Sequence, residues 1–263
     1  MLAALPLWAS AQKTVVVEDP SGKVKVSVTI GKDIAYAVTH EDDVMIAPSP
    51  ISMTLEDGTV FGQEPRLRKV SRKSEDQVIH SPLYKKQSIR DCYNEMTLSF
   101  RGGYDLVFRA YGDGAAYRFV SHRKAPFKVM AEQATFNLPD NPKVYAATPK
   151  GREVDGKESQ YHSSFQNTYR HVALSEWDKQ RLAFLPVLAE ATDGKKVCIT
   201  EADLLDYPGM YLHNGDAGNA LHGVFAPYPD KVEQGGHNML QMEVRSRKDY
   251  IAEYDSGTSF PWR

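Results

Sequence analysis

Cysteine is nearly absent from this 263-residue chain; Cys92 and Cys198 are the two it has. So few exclude a scaffold stapled by several disulfides, and their wide separation forms no metal-type or Cys-x-x-Cys spacing. One bridge is the most they can make, and two free buried thiols are the simpler expectation. Charge of one sign is missing too: 32 Lys and Arg stand against 34 Asp and Glu, a net of -2. That balance excludes strong attraction to nucleic acid or to an anionic membrane. No apolar run is long enough to span a bilayer. There is no phosphate-binding loop, no Rossmann glycine fingerprint, no His-Glu-x-x-His and no G-x-S-x-G. The 8 histidines stand singly, none with a partner at metal-ligand spacing, and a structural role is expected for each. A sustained apolar stripe of helical period is also lacking; Ser175-Glu176-Trp177-Asp178 offers one short turn of helix at most.

What is present points to strands. Hydrophobic residues make up 41% and charged residues 25%, an ordinary globular balance with enough apolar surface for a core. The 14 Tyr against 3 Trp suit half-buried pleated surfaces. Lys23 to Ile30 alternates polar and apolar residues without a break, the period of a strand with one wet face. Ile34 to Thr39 alternates again after Gly31-Lys32-Asp33, which predicts a hairpin. Ser52 to Leu55, Asn94 to Phe100, Tyr104 to Tyr111, Ala115 to Val120 and Ala134 to Leu138 read as further strands, punctuated by glycine and aspartate turns. Thr192-Asp193-Gly194-Lys195 joins Leu185–Ala189 to Val197–Thr200 as another hairpin. The expected fold class is all-β, a large antiparallel β-sandwich in one domain. Residues 139–180, richer in Pro, Ser, Asn and Gln, read as long loops, where a sandwich usually keeps its function.

Residues 1–11 are apolar and end in Ala9-Ser10-Ala11, the small-residue pattern of a signal-peptide cleavage site, although the basic leading region is missing. Export follows as the expectation, with residues 12–263 as the mature domain beginning at Gln12. Three polar constellations remain. Arg90, Asp91 and Glu95 either line a cleft or form an ion-pair network at a strand entrance. Ser163 to Tyr169, with Asn167, carries amides, hydroxyls and rings of the kind that recognise sugars, or is an ordered polar loop. Glu201, Asp203 and Asp206 follow the apolar run ending at Ile199. On a continuing strand Glu201 and Asp203 share a face, where two carboxylates call for a cation, Ca²⁺ being the best match to hard oxygen ligands; the alternative is a solvated acidic turn.

Read in order, Ser21-Gly22-Lys23, Pro48-Ser49-Pro50-Ile51, Ile89 to Glu95, Leu106 to Tyr111, Ile199 to Leu204 with Tyr207-Pro208-Gly209-Met210, and Pro261-Trp262-Arg263 resemble the amino-terminal domain of glycoside hydrolase family 97. Cys92 occupies a position usually written His in that family. The resemblance implies a galactose-mutarotase-like supersandwich that packs on a separate catalytic (β/α)₈ barrel in a secreted α-glucosidase or α-galactosidase. It implies that Glu201 helps hold a Ca²⁺ ion whose other ligands, together with both catalytic carboxylates, lie on the barrel, with Asp203 as its neighbour. On this reading the chain has no catalytic residue of its own and is inactive alone. Its partners are α-linked glucosides or galactosides and the barrel, Asn167 is a substrate-binding candidate, and the location is periplasmic, outer-membrane-associated or secreted. A freestanding sugar-binding sandwich and a structural module without ligand are the alternatives.

Overall fold

The computed structural model describes residues 12–149, 156–161, 165–215, 219–235 and 242–263. The leader-like segment 1–11, and Ser163 and Ser164 of the polar loop, lie outside the described residues. The chain opens with β1 (Lys13–Glu18), β2 (Val24–Ile30), β3 (Ile34–His40), β4 (Asp43–Leu55) and β5 (Val60–Phe61). A long hairpin and meander follow in β6 (Leu67–His80), β7 (Ser88–Phe100), β8 (Tyr104–Tyr111) and β9 (Gly114–Ser121). Then come β10 (Phe127–Asn137), β11 (Lys143–Ala147), the short helix α1 (Gly156–Tyr161) and β12 (Arg170–Ala173). The remainder is β13 (Ala183–Glu190), β14 (Lys196–Ile199), β15 (Met210–Asn214), β16 (Ala220–Phe225), β17 (Pro229–Gln234), β18 (Met242–Arg247) and β19 (Ala252–Tyr254).

The strands are antiparallel. One large sheet runs β1-β2-β3-β4-β10-β16-β15-β13-β11-β12, with β14 beside β13, β19 beside β10 and β5 beside β4. A second sheet runs β6-β7-β8-β9, and β17 and β18 pair with each other. β10 is the central strand of the large sheet: Val129–Ala134 and Asn137 pair with β4, Phe127–Val129 with β19 and Thr135–Asn137 with β16. The alternation read from the sequence is the packing rule. Along β2 every second residue is buried, Val24, Val26, Val28 and Ile30. Val26, Val28 and Ile30 meet Leu98, Leu106, Phe108 and Phe119 from the other sheet in one core cluster. The expected all-β sandwich is therefore the observed architecture.

Local chemistry sets the turns. Between β1 and β2 the Asp19 carboxylate accepts hydrogen bonds from the Ser21 hydroxyl (2.6 Å) and amide (2.8 Å) and from the Val24 amide (2.7 Å). That satisfies the donors the reversal frees, as Asp does in turns of this kind. At Gly62, with φ +96°, an added Cβ would stand 2.6 Å from the Ile51 carbonyl oxygen, so only glycine fits.

Two expectations need correction, and one strand went unread. Residues 139–180 are not loop throughout, because β11, α1 and β12 form there; β11 pairs with β12 on one side and β13 on the other. β6 carries almost no apolar alternation, yet pairs with β7 along its whole length. And the thiols, although unpaired as expected, are not buried: Cys198 is exposed and Cys92 half-buried.

Candidate functional site

β14 ends at Ile199, and the chain then leaves regular strand geometry. Ala202 forms an isolated bridge with Trp262. Asp203 and Asp206 adopt φ of 60° and 50°, in the left-handed region that Asp tolerates better than most residues. The reversal through Tyr207-Pro208-Gly209 brings the start of β15 back beside Glu201. The Met210 amide donates to both carboxylate oxygens of Glu201, at 3.0 and 3.1 Å.

Arg263 closes the site from the far end of the domain. Its Nη1 donates to Glu201 Oε2 at 3.0 Å, while its Nε and Nη2 donate to Glu132 Oε1 and Oε2 at 3.1 and 3.0 Å. The Arg263 and Glu132 side chains are 1% and 3% exposed, and that of Glu201 13%. The guanidinium also lies 5.0 Å from the Phe225 ring centroid and 5.5 Å from that of Tyr207. Two carboxylates thus share one cation, leaving one net negative charge in a desolvated place. Burial pushes the Glu201 carboxyl above the usual carboxylate range, against the pull of Arg263 and the Met210 amide, with the Glu132 charge adding to the upward push.

This donor set fits one arm of a cation site and no more. Glu132 is 3% exposed and faces the Arg263 fork with both oxygens, whereas Glu201, 13% exposed, is the more open of the two and keeps a lone pair beyond the three hydrogen bonds it accepts from Met210 and Arg263. Among the described residues no group of three or more His, Cys, Asp or Glu could hold a metal ion. Ca²⁺ takes 6–8 oxygens, so the described residues do not by themselves hold it.

Asp203 does not join Glu201. Its backbone departs from the strand, which removes the premise of a shared face, and it pairs with Arg118 at 3.2 Å instead. That pair belongs to a stack the sequence did not announce. The Arg109 guanidinium lies 4.2 Å from the Tyr93 ring centroid and 4.6 Å from that of Trp262, and Arg118 lies 4.3 Å from the Trp262 centroid. Two cations thus lie against the Trp262 ring. Glu95 accepts from Arg109 at 2.8 Å and also pairs with Lys73 at 3.3 Å. Arg90 grips Asp76 with two hydrogen bonds, and Asp91 accepts from Gln77. The 89–95 constellation is therefore a cross-strand ion-pair network.

Asn167 sits in an exposed loop. Its Nδ2 donates to the Thr148 carbonyl at 2.8 Å and its Oδ1 accepts from the Thr168 amide at 2.9 Å. The neighbouring Phe165 and Tyr169 rings are exposed, and both pack edge-on against Phe184. The loop is ordered by its own amide and offers aromatic surface to solvent.

Comparison with known proteins decides the family. The model of the glycosyl-hydrolase 97 N-terminal family matches residues 17–263. The chain belongs to that family. A retaining alpha-galactosidase of Bacteroides thetaiotaomicron is 45% identical over 257 residues, which cover 98% of this chain and 39% of that protein. A Glycoside Hydrolase Family 97 enzyme from Pseudoalteromonas sp. strain K8, solved in complex with acarbose, superposes with a TM-score of 0.77 at 18% identity, over 95% of this chain and 35% of its own. A beta-arabinopyranosidase gives 0.76 at 20% identity, again over 95% of this chain and 39% of its own. At such identities these two speak for the fold. This family 97 amino-terminal domain spans about two fifths of the curated relative's length. No helix among the described residues is long and apolar enough to cross a membrane.

Proposed function

We propose that this domain serves an exported, exo-acting, calcium-dependent α-glycosidase, and that the whole enzyme is a retaining α-galactosidase. The observation that carries the reading is the 45% identity to the Bacteroides enzyme across 98% of this chain. The domain packs on a catalytic barrel, lends Glu201 as one oxygen ligand of a Ca²⁺ completed by the barrel, and shapes part of the sugar pocket. Two features agree. The Glu201–Arg263–Glu132 cluster has one negative charge in excess, which a cation offsets. Leu204 and Leu205, 44% and 71% exposed beside it, form apolar surface of the kind a docking domain covers. The acid and the nucleophile of a retaining glycosidase belong to the barrel in this reading, so the chain alone is inactive.

The test is the whole gene product assayed on p-nitrophenyl α-galactoside and α-glucoside, with the product anomer followed by NMR. Galactoside cleavage with retention, abolished by chelator and restored by Ca²⁺, is the expected result. Turnover of neither substrate overturns the reading, and turnover of the glucoside alone overturns its sugar.

The exposed Phe165 and Tyr169 rings beside Asn167 favour a second reading, a carbohydrate-binding sandwich in its own right. Calorimetry of this chain with melibiose and maltose separates the two: heat that disappears in Asn167→Ala supports it, and silence removes it.

A further inference from the structure

A cleft of about 620 Å³ separates β9 from β14. Its floor is apolar, with Val26, Tyr36, Val38, Ile46, Phe108 and Phe136. The end of the chain enters it as a strand between the two walls. Trp262 exchanges two backbone hydrogen bonds with Ala202, at 2.9 and 3.1 Å, and Arg263 exchanges two with Tyr117, both at 2.9 Å. Trp262 therefore faces one wall and Arg263 the other, as adjacent residues of a strand do; Phe260 still donates to Phe119 of β9, so this alternation starts after Pro261.

The walls beyond keep the same parity. Tyr117 turns its amide and carbonyl away from β8, so Ala115, two residues nearer the β8–β9 turn, presents its own pair to the cleft. Across from it, β14 uses its odd-numbered residues to bond β13: the Ala191 amide donates to the Lys195 carbonyl, and the same register pairs Ala189 with Val197 and Val187 with Ile199. Cys198 and Thr200 consequently turn their amides and carbonyls toward the cleft, in phase with Ala202. One further extended segment in register with residues 262–263 bonds both walls, its odd positions to Ala115 and its even positions to Thr200 and Cys198. The Arg263 side chain points into the domain, so the second residue after it shares that face and meets the apolar floor.

We propose that the cleft is the seat of a β-strand formed by the polypeptide immediately following Arg263 in the whole enzyme, joining the two sheets into one continuous surface. This rests on the reading that the domain belongs to a longer glycosidase; the relative's remaining three fifths of length is chain from which such a strand is drawn. The added strand holds Thr200 as residue 262 already holds Ala202. Glu201 lies between them, so the strand clamps its backbone on both sides and fixes the aim of its carboxylate toward the catalytic part.

The gene sequence after Arg263 gives the first check: an apolar second residue and no proline within the next four or so positions, the length that fills a short strand. The decisive measurement is amide hydrogen exchange, resolved to single residues, in the whole protein and in the 263-residue chain. Exchange at Ala115, Cys198 and Thr200 is expected to slow by about tenfold or more in the whole protein. Replacing the second residue after Arg263 by Asp in the whole protein restores fast exchange there, a comparison that stands even where the shorter chain does not fold. Equal exchange in the whole protein and its Asp variant overturns the strand, and an active glycosidase with that result leaves the functional reading intact. Protection in the 263-residue chain that grows with its concentration assigns the cleft to a second copy and also overturns the proposal. A stop codon directly after Arg263 overturns both.

Discussion

Arg263 and Glu132, 131 positions apart in the chain, meet through two parallel hydrogen bonds of 3.1 and 3.0 Å with both side chains almost fully buried. A fork of this kind is the strongest form of the Arg–carboxylate pair. Removing one partner strands the other charge in a desolvated place. Arg263→Ala leaves both Glu132 and Glu201 uncompensated and is expected to cost about 3–5 kcal/mol, read as a lowered urea midpoint. Unchanged stability would show that the cluster is far wetter than its burial indicates.

Glu201→Gln separates the metal role from the structural one. The amide keeps an acceptor for Met210 and nearly the same volume, so the fold survives. In the whole enzyme, calcium affinity is expected to fall by at least about tenfold, with turnover following it at limiting calcium. Chelator titrations that superpose for the two enzymes remove Glu201 from the metal site. In the domain alone, burial holds the folded Glu201 carboxyl above its unfolded value, so the ionised form burdens the native state. Relative to the Gln variant, the wild type is therefore expected to gain stability as pH falls from above the raised pKa to the ordinary carboxylate range, and to stay level below it.

Trp262 stacks on Arg109 of β8 and Arg118 of β9, two neighbouring strands of one sheet. Trp262→Leu keeps apolar volume but forfeits both guanidinium contacts, with an expected loss of about 1–2 kcal/mol for the partly desolvated pair. Denaturation of Trp262→Leu alone and combined with Arg118→Met tests this: strict additivity of the two changes would deny the contact.

Asp19 gives the opposite acid response. Burial raises its carboxyl, but the Ser21 hydroxyl and the Val24 and Ser21 amides outweigh it and hold it below the usual Asp value. The stability this supplies is present above the unfolded Asp pKa and lost as pH falls through the folded one. Asp19→Asn is expected to be less stable at neutral pH, with the gap closing in acid. A gap independent of pH would mean that the charge contributes nothing.

Much of the fold was legible because its signals are local. Lys23–Ile30 alternates, Gly31-Lys32-Asp33 turns and Ile34–Thr39 alternates again, and β2 and β3 pair accordingly. The β13–β14 hairpin around Thr192–Lys195 followed from the same evidence. β6 escaped notice because its solvated faces need no apolar period; its register comes from β7 and from cross-strand pairs such as Arg90 with Asp76. Glu201 stood out as an acid at the end of an apolar run. Asp203 misled, because the strand was assumed to continue past Ile199, where the backbone turns left-handed.

The sequence by itself determined the all-β class, most of the turns, the family and the one glutamate worth following. Each of these is written in neighbouring residues, through alternation, turn chemistry or a short ordered motif. Only the tertiary structure decided that Glu201 shares Arg263 with Glu132, that Asp203 belongs to Arg118, and that residues 262–263 run between two strand edges. Those partners lie between 60 and 146 positions apart. No local period encodes such meetings; they arise when the two sheets close over a common core and desolvate charges that must then find one another.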